Sequence, residues 1–242
     1  MDFQSWNTKD HNRIYHAFSK RWIRFWMHYA GPTAVGRTAS RLASWFAPPH
    51  KARVYLARMN AHGFIEPNAT IYHSKLKMGP NVFIGEHAII FENSGGGPVE
   101  LGSQVNIFRH TILETAHGGS ILLEDEVSIH PRCQLNAYVS SIRIGSGTMI
   151  APNCALYPYD HGIAPGRPIM EQPLESKGPI TIGREAWLGV GVIVLGGVEI
   201  GDGAVIAAGS IVTQNIPENA IAAGTPAKAI KMRNDLADKF KA

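Results

Sequence analysis

The sequence has few of the features that mark disulfide-bonded, secreted or membrane-spanning proteins. Among its 242 residues there are only two cysteines, and they form neither a CxxC pair nor a disulfide framework. The first 25 residues have no apolar core followed by a small-residue cleavage site, so we expect no signal peptide. The charge-free stretch 25–36 is shorter than the roughly 20 apolar residues that a transmembrane helix takes. These absences predict a cytoplasmic protein.

Acidic residues are scarce at the N-terminal end of the chain. Residues 1–60 contain ten Lys or Arg and only two Asp or Glu, although the whole chain has 23 basic and 19 acidic residues. The excess positive charge therefore belongs to the first 60 residues, and the rest of the chain is net acidic. We expect no nucleic-acid partner, and neither a P-loop nor a GxGxxG motif is found.

Residues 10–29 carry a helical pattern with one aromatic and aliphatic face. That face consists of Ile14, Phe18, Trp22, Phe25 and Tyr29, with Tyr15 and Trp26 at its flank and Arg13, Lys20 and Arg24 opposite. Two interpretations stay open. The helix could cap the open end of the domain that follows, or it could lie in a membrane interface with its basic residues toward anionic lipid. Further helices are expected over 35–46 and 51–61.

A long helical or alternating apolar pattern is missing from the rest of the chain, where aliphatic residues recur every six positions. Between residues 182 and 216 the step is unbroken: Ile182, Leu188, Val194, Ile200, Ile206 and Val212. A second apolar or small residue follows each of them by four positions. A fixed period of six is typical of a solenoid of short parallel strands. The same step, with slips at loops, extends back to Ile65.

The repeat divides the chain into three segments. Residues 1–60 form the basic and aromatic helical segment, and residues 61–226 form the repeat coil. Residues 162–179 interrupt the coil with a proline-rich insertion, which is expected to be a loop. Residues 227–242 are predicted to form a basic C-terminal helix. The fold class predicted is therefore mainly β, with helices only at the two ends.

The last third of the chain resembles the hexapeptide-repeat acyltransferases, most closely the galactoside and maltose type of sugar O-acetyltransferases. The resemblance rests on Ile144-Gly145, Ile150-Ala151-Pro152-Asn153, Asp160-His161-Gly162, Pro179-Ile180-Thr181-Ile182-Gly183, Ala186-Trp187-Leu188-Gly189, the segment 207–213 and the segment 223–227. It implies a left-handed parallel β-helix, a homotrimer and acetyl-CoA as co-substrate. Upstream of Ile144 only the repeat itself is similar.

His161 matches the catalytic histidine of that family. A sugar hydroxyl is a poor nucleophile until a base removes its proton, and imidazole, which changes charge near neutral pH, suits that role. Asp160 could orient the imidazole, or it could contact the acceptor or only solvent, because neighbouring residues of an extended segment point apart. Trp187 matches a tryptophan that borders the acetyl group in the family.

For the acyl donor, the resemblance indicates small residues and a few polar ones. Gly189, Ala207, Ala208 and Thr213 would allow the pantetheine arm to lie against the coil. Lys228 and Lys231 match positions of basic residues that bind the CoA phosphates. Gln214 departs from the pattern, since a basic residue is common at that position. The acceptor side matches poorly, and the chain offers His130, Asn136 and Tyr138 there, with His130 and Asn136 as the candidate contacts.

These residues predict an acetyl-CoA-dependent O-acetyltransferase that acts on a sugar or a glycan precursor of polysaccharide biosynthesis and needs no metal. Two alternatives remain. The chain is rich in histidine, so one alternative is a zinc-binding β-helix similar to the γ-class carbonic anhydrases; such sites need a closely spaced histidine pair and a third histidine one coil away. A trimeric scaffold without activity is the other. Peripheral membrane contact through residues 10–29 would place the enzyme at the inner face of the membrane.

Overall fold

The computed structural model describes residues 13–235, with side chains from Phe18 onward. Three helices come first, α1 (Arg13–Tyr29), α2 (Ala34–Ser44) and α3 (Val54–Ala57), with a 3₁₀ turn over His50–Arg53. Thr33 caps α2 by accepting a hydrogen bond from the Gly36 amide at 3.1 Å. Residues 10–12 of the predicted first helix, and the side chains of its first turn, lie outside the described residues.

From residue 64 to residue 200 the chain winds through three sheets in turn, and every coil contributes one short strand to each. Sheet 1 contains β1 (Phe64–Ile65), β4 (Phe83–Ile84), β7 (Asn106–Ile107), β10 (Ser128–Ile129), β13 (Met149–Ile150), β18 (Trp187–Leu188), β21 (Val205–Ile206), β23 (Ala220–Gly224) and β24 (Ala227–Met232). Sheet 2 contains β2 (Thr70–Tyr72), β5 (Ile89–Glu92), β8 (Ile112–Ala116), β11 (Gln134–Tyr138), β14 (Ala155–Tyr157), β19 (Ile193–Leu195) and β22 (Ile211–Val212). Sheet 3 contains β3 (Leu76–Met78), β6 (Val99–Leu101), β9 (Ile121–Leu123), β12 (Ile142–Ile144), β17 (Ile180–Ile182) and β20 (Glu199–Ile200).

The six-residue repeat forms the core of this coil, as the sequence predicts. Parallel pairing places equivalent aliphatic residues directly above one another, for example Ile107, Ile129 and Ile150 in sheet 1. These side chains are fully buried. Each coil therefore buries one aliphatic residue per sheet against its two neighbours, which is why the pattern has to recur in phase. The mainly β solenoid is confirmed.

The proline-rich insertion leaves the coil between β14 and β17 as a hairpin. Its base is the antiparallel pair β15 (Asp160–His161) and β16 (Leu174–Glu175), and a 3₁₀ turn covers Ile169–Glu171. Gln172 ties the loop together. Its side-chain oxygen accepts from the Ala164 amide at 2.8 Å, and its side-chain nitrogen donates to the carbonyls of Ala164 and Arg167 at 3.0 Å each. The hairpin thus has its own internal order.

The predicted C-terminal helix is wrong for the part of it that the structure describes. Ala227–Met232 is strand β24, which pairs antiparallel with β23 at the edge of sheet 1. Gly224, with a φ of +107°, ends β23 at the turn into β24. Lysine and alanine favour a helix in isolation, but pairing with the open edge of the last coil satisfies a row of backbone groups and overrides that preference. Residues 236–242 lie outside the described residues.

The N-terminal helices pack against the side of the coil through a second apolar core. Ile23, Met27 and Ala43 are buried there together with Phe64, Phe83 and Phe108, in a cluster separate from the interior of the coil. Phe64 and Phe83 precede the inward residues of β1 and β4, so they face outward from sheet 1. The segment therefore packs against the outer face of the first coils.

The face of α1 that makes this contact differs from the aromatic face that the sequence indicated. Ile23 and Met27 are buried, whereas Phe18, Phe25 and Tyr29 are 51–56% exposed. Sequence periodicity finds the richest apolar stripe, but α1 turns its smaller, aliphatic side toward the coil. Within residues 13–235, no helix combines the length and the apolar character needed to cross a bilayer.

Candidate active site

His161 and Asp160 lie at the base of the hairpin, where the chain leaves sheet 2 and before it enters sheet 3. In the antiparallel pair, Asp160 is opposite Glu175 and His161 is opposite Leu174, so the two side chains point to opposite faces of the hairpin. Both are exposed. Between Phe18 and Asp235, no side-chain hydrogen bond to either residue is found. Asp160 is therefore not placed to orient the imidazole of His161 within one chain.

Three tyrosines lie immediately before His161 along the chain or beside it in sheet 2, and we call them the tyrosine shelf: Tyr138, Tyr157 and Tyr159. The rings of Tyr138 and Tyr159 are stacked, with centroids 5.0 Å apart and planes at 14°. Tyr157 lies 5.8 Å from Tyr159 in a tilted arrangement. Since Tyr159 is two residues from His161, the shelf ends beside the hairpin base.

Hydrogen bonds from neighbouring polar side chains hold two of the shelf tyrosines in place. The Tyr138 hydroxyl donates to Glu114 at 2.5 Å and accepts from Asn93 at 3.2 Å. Asn136 donates to the Tyr157 hydroxyl at 3.3 Å, while the other side of the Asn136 amide, its oxygen, is buried and has no hydrogen-bond partner among the described residues. Aromatic rings beside amide and carboxylate groups provide both apolar contact surface and hydrogen-bonding groups at this point of the coil.

The tyrosine hydroxyls are held in their neutral form. Burial, followed by the hydrogen bond to Glu114, raises the pKa of Tyr138 to about 12. Burial also raises the pKa values of Tyr157 and Tyr159. Near neutral pH these residues therefore act as hydrogen-bonding groups and apolar rings, and not as bases. Sequence reasoning named Asn136 but missed Tyr157 and Tyr159, whose alternation directly before Asp160-His161 is the signal that could have identified them.

The structure does not bring His130 together with Asn136. His130 follows β10 at the corner between sheets 1 and 2, whereas Asn136 lies in the middle of β11 and Tyr138 at its far end. The His130 ring packs against Phe108, with centroids 5.1 Å apart. Burial, followed by the charge of Lys51, lowers the pKa of His130. Its contacts are thus with the N-terminal end of the coil, away from the hairpin.

Trp187 faces outward from sheet 1. It lies between Met149 and Val205 in the sheet register, and it is 49% exposed. Sheet 1 is separated from the hairpin by the full width of sheet 2 on one side and of sheet 3 on the other. A single chain therefore places Trp187 and His161 on different sides of the coil.

Gly189, Ala207 and Ala208 lie together at the corner that follows sheet 1, one coil above the other. A Cβ atom on Gly189 would come within 2.6 Å of the Ala208 amide nitrogen, closer than real Cβ atoms approach. Glycine at this position is thus already required by the stacking of the coils, whatever ligand the corner binds. Ala208 is exposed, and Gly189 is buried.

The remaining donor-site candidates lie at the C-terminal end of the coil. Thr213 and Gln214 follow β22 and are exposed, and the Gln214 amide donates to the Ala227 carbonyl at 3.4 Å. Lys228 and Lys231 are exposed residues of β24, opposite Ala223 and Ile221. The two lysines therefore extend from a strand, and not from the helix on which they were expected.

The histidines of the coil are dispersed. His87 and His110 stack at one corner with ring centroids 5.2 Å apart, and His117 lies against Tyr138. Among residues 13–235 of one chain, no group of three His, Cys, Asp or Glu side chains is placed to hold a metal ion.

The sequence of the coil is similar to those of known transferases. Residues 179–214 match the family described as bacterial transferase hexapeptide (six repeats). The galactoside O-acetyltransferase of Escherichia coli K12 is 42% identical over 100 residues, covering 39% of this chain and 46% of that protein. A candidate lipopolysaccharide-biosynthesis O-acetyl transferase of the same organism, WbbJ, is 37% identical over 48% of this chain and 62% of its own length. The chain thus spans about half the length of such relatives.

Solved structures agree on the fold. A point mutant of AntD, an N-acyltransferase of Bacillus cereus solved with dTDP and coenzyme A, superposes with a TM-score of 0.52 over 80% of this chain and 96% of AntD, at 17% identity. The class of protein is therefore a left-handed parallel β-helix. More particularly, the coil resembles the hexapeptide-repeat acyltransferases, among them sugar O-acetyltransferases, and the resemblance predicted from the sequence is confirmed.

Proposed function

We propose that this protein transfers an acetyl group from acetyl-CoA to a hydroxyl of a sugar or glycan precursor. The observation that carries the proposal is the position of His161 at the hairpin base, beside the tyrosine shelf, in a coil whose sequence matches acetyltransferases. The names of the relatives support acetyl-CoA as co-substrate, and the galactoside and lipopolysaccharide relatives support a sugar acceptor.

In the proposed reaction, the imidazole of His161 accepts the proton of the acceptor hydroxyl. The hydroxyl oxygen attacks the thioester carbonyl carbon, the bond between that carbon and sulfur breaks, and the leaving thiolate takes the proton. The products are the acetyl ester and free CoA. No side-chain partner of His161 among the described residues competes for the imidazole, so it is available to a bound acceptor.

We propose further that the protein works as a homotrimer with its sites between subunits. Support comes from the separation of His161 and Trp187 on different sides of one coil, because only a neighbouring copy could bring the two together. The outer face of sheet 1 offers an apolar strip for such contact, in which Met149 is 51% and Trp187 49% exposed. In this arrangement Gly189, Ala207, Ala208, Thr213, Gln214, Lys228 and Lys231 line the path of the CoA.

Location in the cytoplasm fits this proposal. Cys133 and Cys154 are both buried free thiols. Free thiols are typical of proteins in a reducing compartment.

Thiol release from acetyl-CoA tests the proposed reaction. The purified protein is expected to release CoA in proportion to acceptor concentration when offered a panel of galactosides, maltose and glycan precursors, at a rate typical of enzymes, about 1–10³ per second. Mass spectrometry of the product should show one added acetyl group. CoA binding without turnover on any hydroxyl acceptor would contradict the O-acetyl transfer proposed, and an amine acceptor that reacts would replace it with N-acetyl transfer.

Removing one ring of the shelf tests its role as the acceptor platform. Tyr159→Ala removes the ring that stacks on Tyr138. We expect the KM for the acceptor to rise about 5- to 10-fold, since an aromatic contact contributes roughly 1 kcal/mol. The KM for acetyl-CoA should not change. Tyr159→Phe keeps the ring and should behave nearly as the wild type.

Tyr72→Ala is the matched control for the shelf. Tyr72 is an exposed tyrosine of the same sheet, stacked on Phe91 at 5.3 Å, but it lies in β2, an edge strand separated from β14 by three other strands. Its removal should leave both KM values unchanged. An acceptor KM that rises equally in Tyr72→Ala and Tyr159→Ala would contradict a specific platform at the hairpin.

A further inference from the structure

The N-terminal helices present an aromatic surface that the packing on the coil leaves uncovered. Phe25 and Tyr29 of α1 are 56% and 53% exposed, although α1 buries Ile23 and Met27 against the coil. Scattered exposed apolar residues are normal in proteins, but a contiguous cluster marks an interaction site. The question is therefore whether these rings form one surface.

Ring contacts join the two helices into a single surface, which we call the aromatic patch. Trp22 of α1 stacks on Trp45 at the end of α2, with centroids 6.1 Å apart and planes at 11°, and Trp45 is 65% exposed. Edge contacts continue the chain of rings. The patch comprises Phe18, Trp22, Phe25, Trp26, Tyr29, Trp45 and Phe46. It is thus built by the fold from both helices, and is wider than the stripe on one of them.

The charge around the patch is of one sign. From Arg13 to Asn60 the sequence contains nine Lys or Arg residues and no Asp or Glu. Arg21 and Arg24 of α1 and Arg41 of α2 are exposed, and none of the three forms an ion pair within the described residues. The complementary partner therefore carries negative charge and accepts aromatic side chains.

An anionic bilayer surface has both properties. Tryptophan and tyrosine rings partition to the level of the lipid headgroups, and arginine contacts the lipid phosphates. Helices with Trp and Phe on one face and Lys or Arg beside it lie in that interface. We propose that the aromatic patch docks this protein on anionic membranes, with Arg21, Arg24 and Arg41 at the phosphates. The proposal is independent of the acetyl transfer proposed above.

Flotation of the full chain with lipid vesicles tests the docking, without any acceptor or acetyl-CoA. The wild type should float with vesicles of phosphatidylcholine and phosphatidylglycerol, float poorly with phosphatidylcholine alone, and detach as salt is raised. Phe25→Gln combined with Trp45→Gln should lower the bound fraction at least about 10-fold. Arg21→Gln combined with Arg41→Gln should lower vesicle affinity about 30-fold at low salt.

Two matched controls keep the result specific. Tyr72→Gln with Met170→Gln removes two exposed apolar side chains elsewhere, and Arg132→Gln with Lys177→Gln removes two exposed charges elsewhere. Both controls should float as the wild type does, and circular dichroism should show the same coil in all variants. The proposal is overturned if the wild type fails to float with anionic vesicles. It is equally overturned if the patch variants float normally, or if they change only the oligomeric state or the retention on nucleic acid.

Discussion

His161→Ala is expected to lower kcat by about 10²- to 10⁴-fold, the contribution typical of general base catalysis. The side chain is exposed at the hairpin base and has no side-chain hydrogen bond within the described residues. Its removal therefore leaves no buried group without a partner and should not disturb the coil. Thiol release at saturating acetyl-CoA and acceptor is the measurement, and the melting temperature and the affinity for CoA should stay as in the wild type.

His117→Ala is the matched control for this substitution. His117 is also exposed and lies near the shelf, where its ring contacts Tyr138 at a centroid distance of 6.1 Å. Its loss should change kcat by less than about 10-fold, because it contacts the shelf and not the reacting hydroxyl. A His161→Ala enzyme that keeps near-normal turnover would remove the base from the proposed reaction, whereas equal losses in both variants would indicate a general disturbance of the surface.

The coil could be predicted because the residues that each turn must bury are close together in the sequence. Each turn needs one inward aliphatic residue per sheet, so Leu135 and Leu156, which are stacked in the structure, each end a run of three aliphatic residues at six-residue spacing in the sequence. Parallel pairing then follows from the repetition. The insertion was likewise detectable as a loop, because its prolines break the phase between β14 and β17, but its antiparallel pairing was not.

Contacts between distant segments could not be predicted in the same way. Ala227–Met232 has a helical composition, and only the open edge of β23 makes it a strand. The aromatic stripe of α1 is the strongest apolar signal in residues 10–29, but the coil presents three phenylalanines that accept Ile23 and Met27 instead. Which face packs depends on the shape of the partner surface, and one helix does not encode that shape.

In the candidate site, too, local motifs could be predicted and contacts between coils could not. His161 was identifiable from its motif, and Asn136 from its place one coil earlier. The stacking of Tyr138 on Tyr159 joins residues 21 positions apart, a distance set by the length of one coil with its loop. His130, although close to Asn136 in sequence, lies at the other corner of the sheet because the strand between them is straight. Sequence proximity thus misled in one case and was uninformative in the other.

Subunit mixing should restore activity to two inactive variants. His161→Ala lacks the proposed base, and Ala208→Trp fills the exposed corner beside Gly189 where the pantetheine arm is proposed to lie. Each variant alone should be inactive. If every site takes its hairpin from one subunit and its donor corner from the next, random trimers from a 1:1 mixture contain about one quarter of sites with both parts intact. Co-expressed subunits should therefore recover up to about 25% of wild-type thiol release.

The experiment distinguishes a site formed between two subunits from a site formed within one chain. Trp187 and the donor corner adjoin sheet 1, whereas His161 lies between sheets 2 and 3, so one chain cannot supply both to the same acceptor. Variants purified separately and mixed without subunit exchange are the control, and they should stay inactive. If co-expressed subunits remain inactive while wild-type subunits handled in the same way are active, the site lies within one chain. In that case the base for Trp187 and its neighbours would have to be sought on sheet 1 itself.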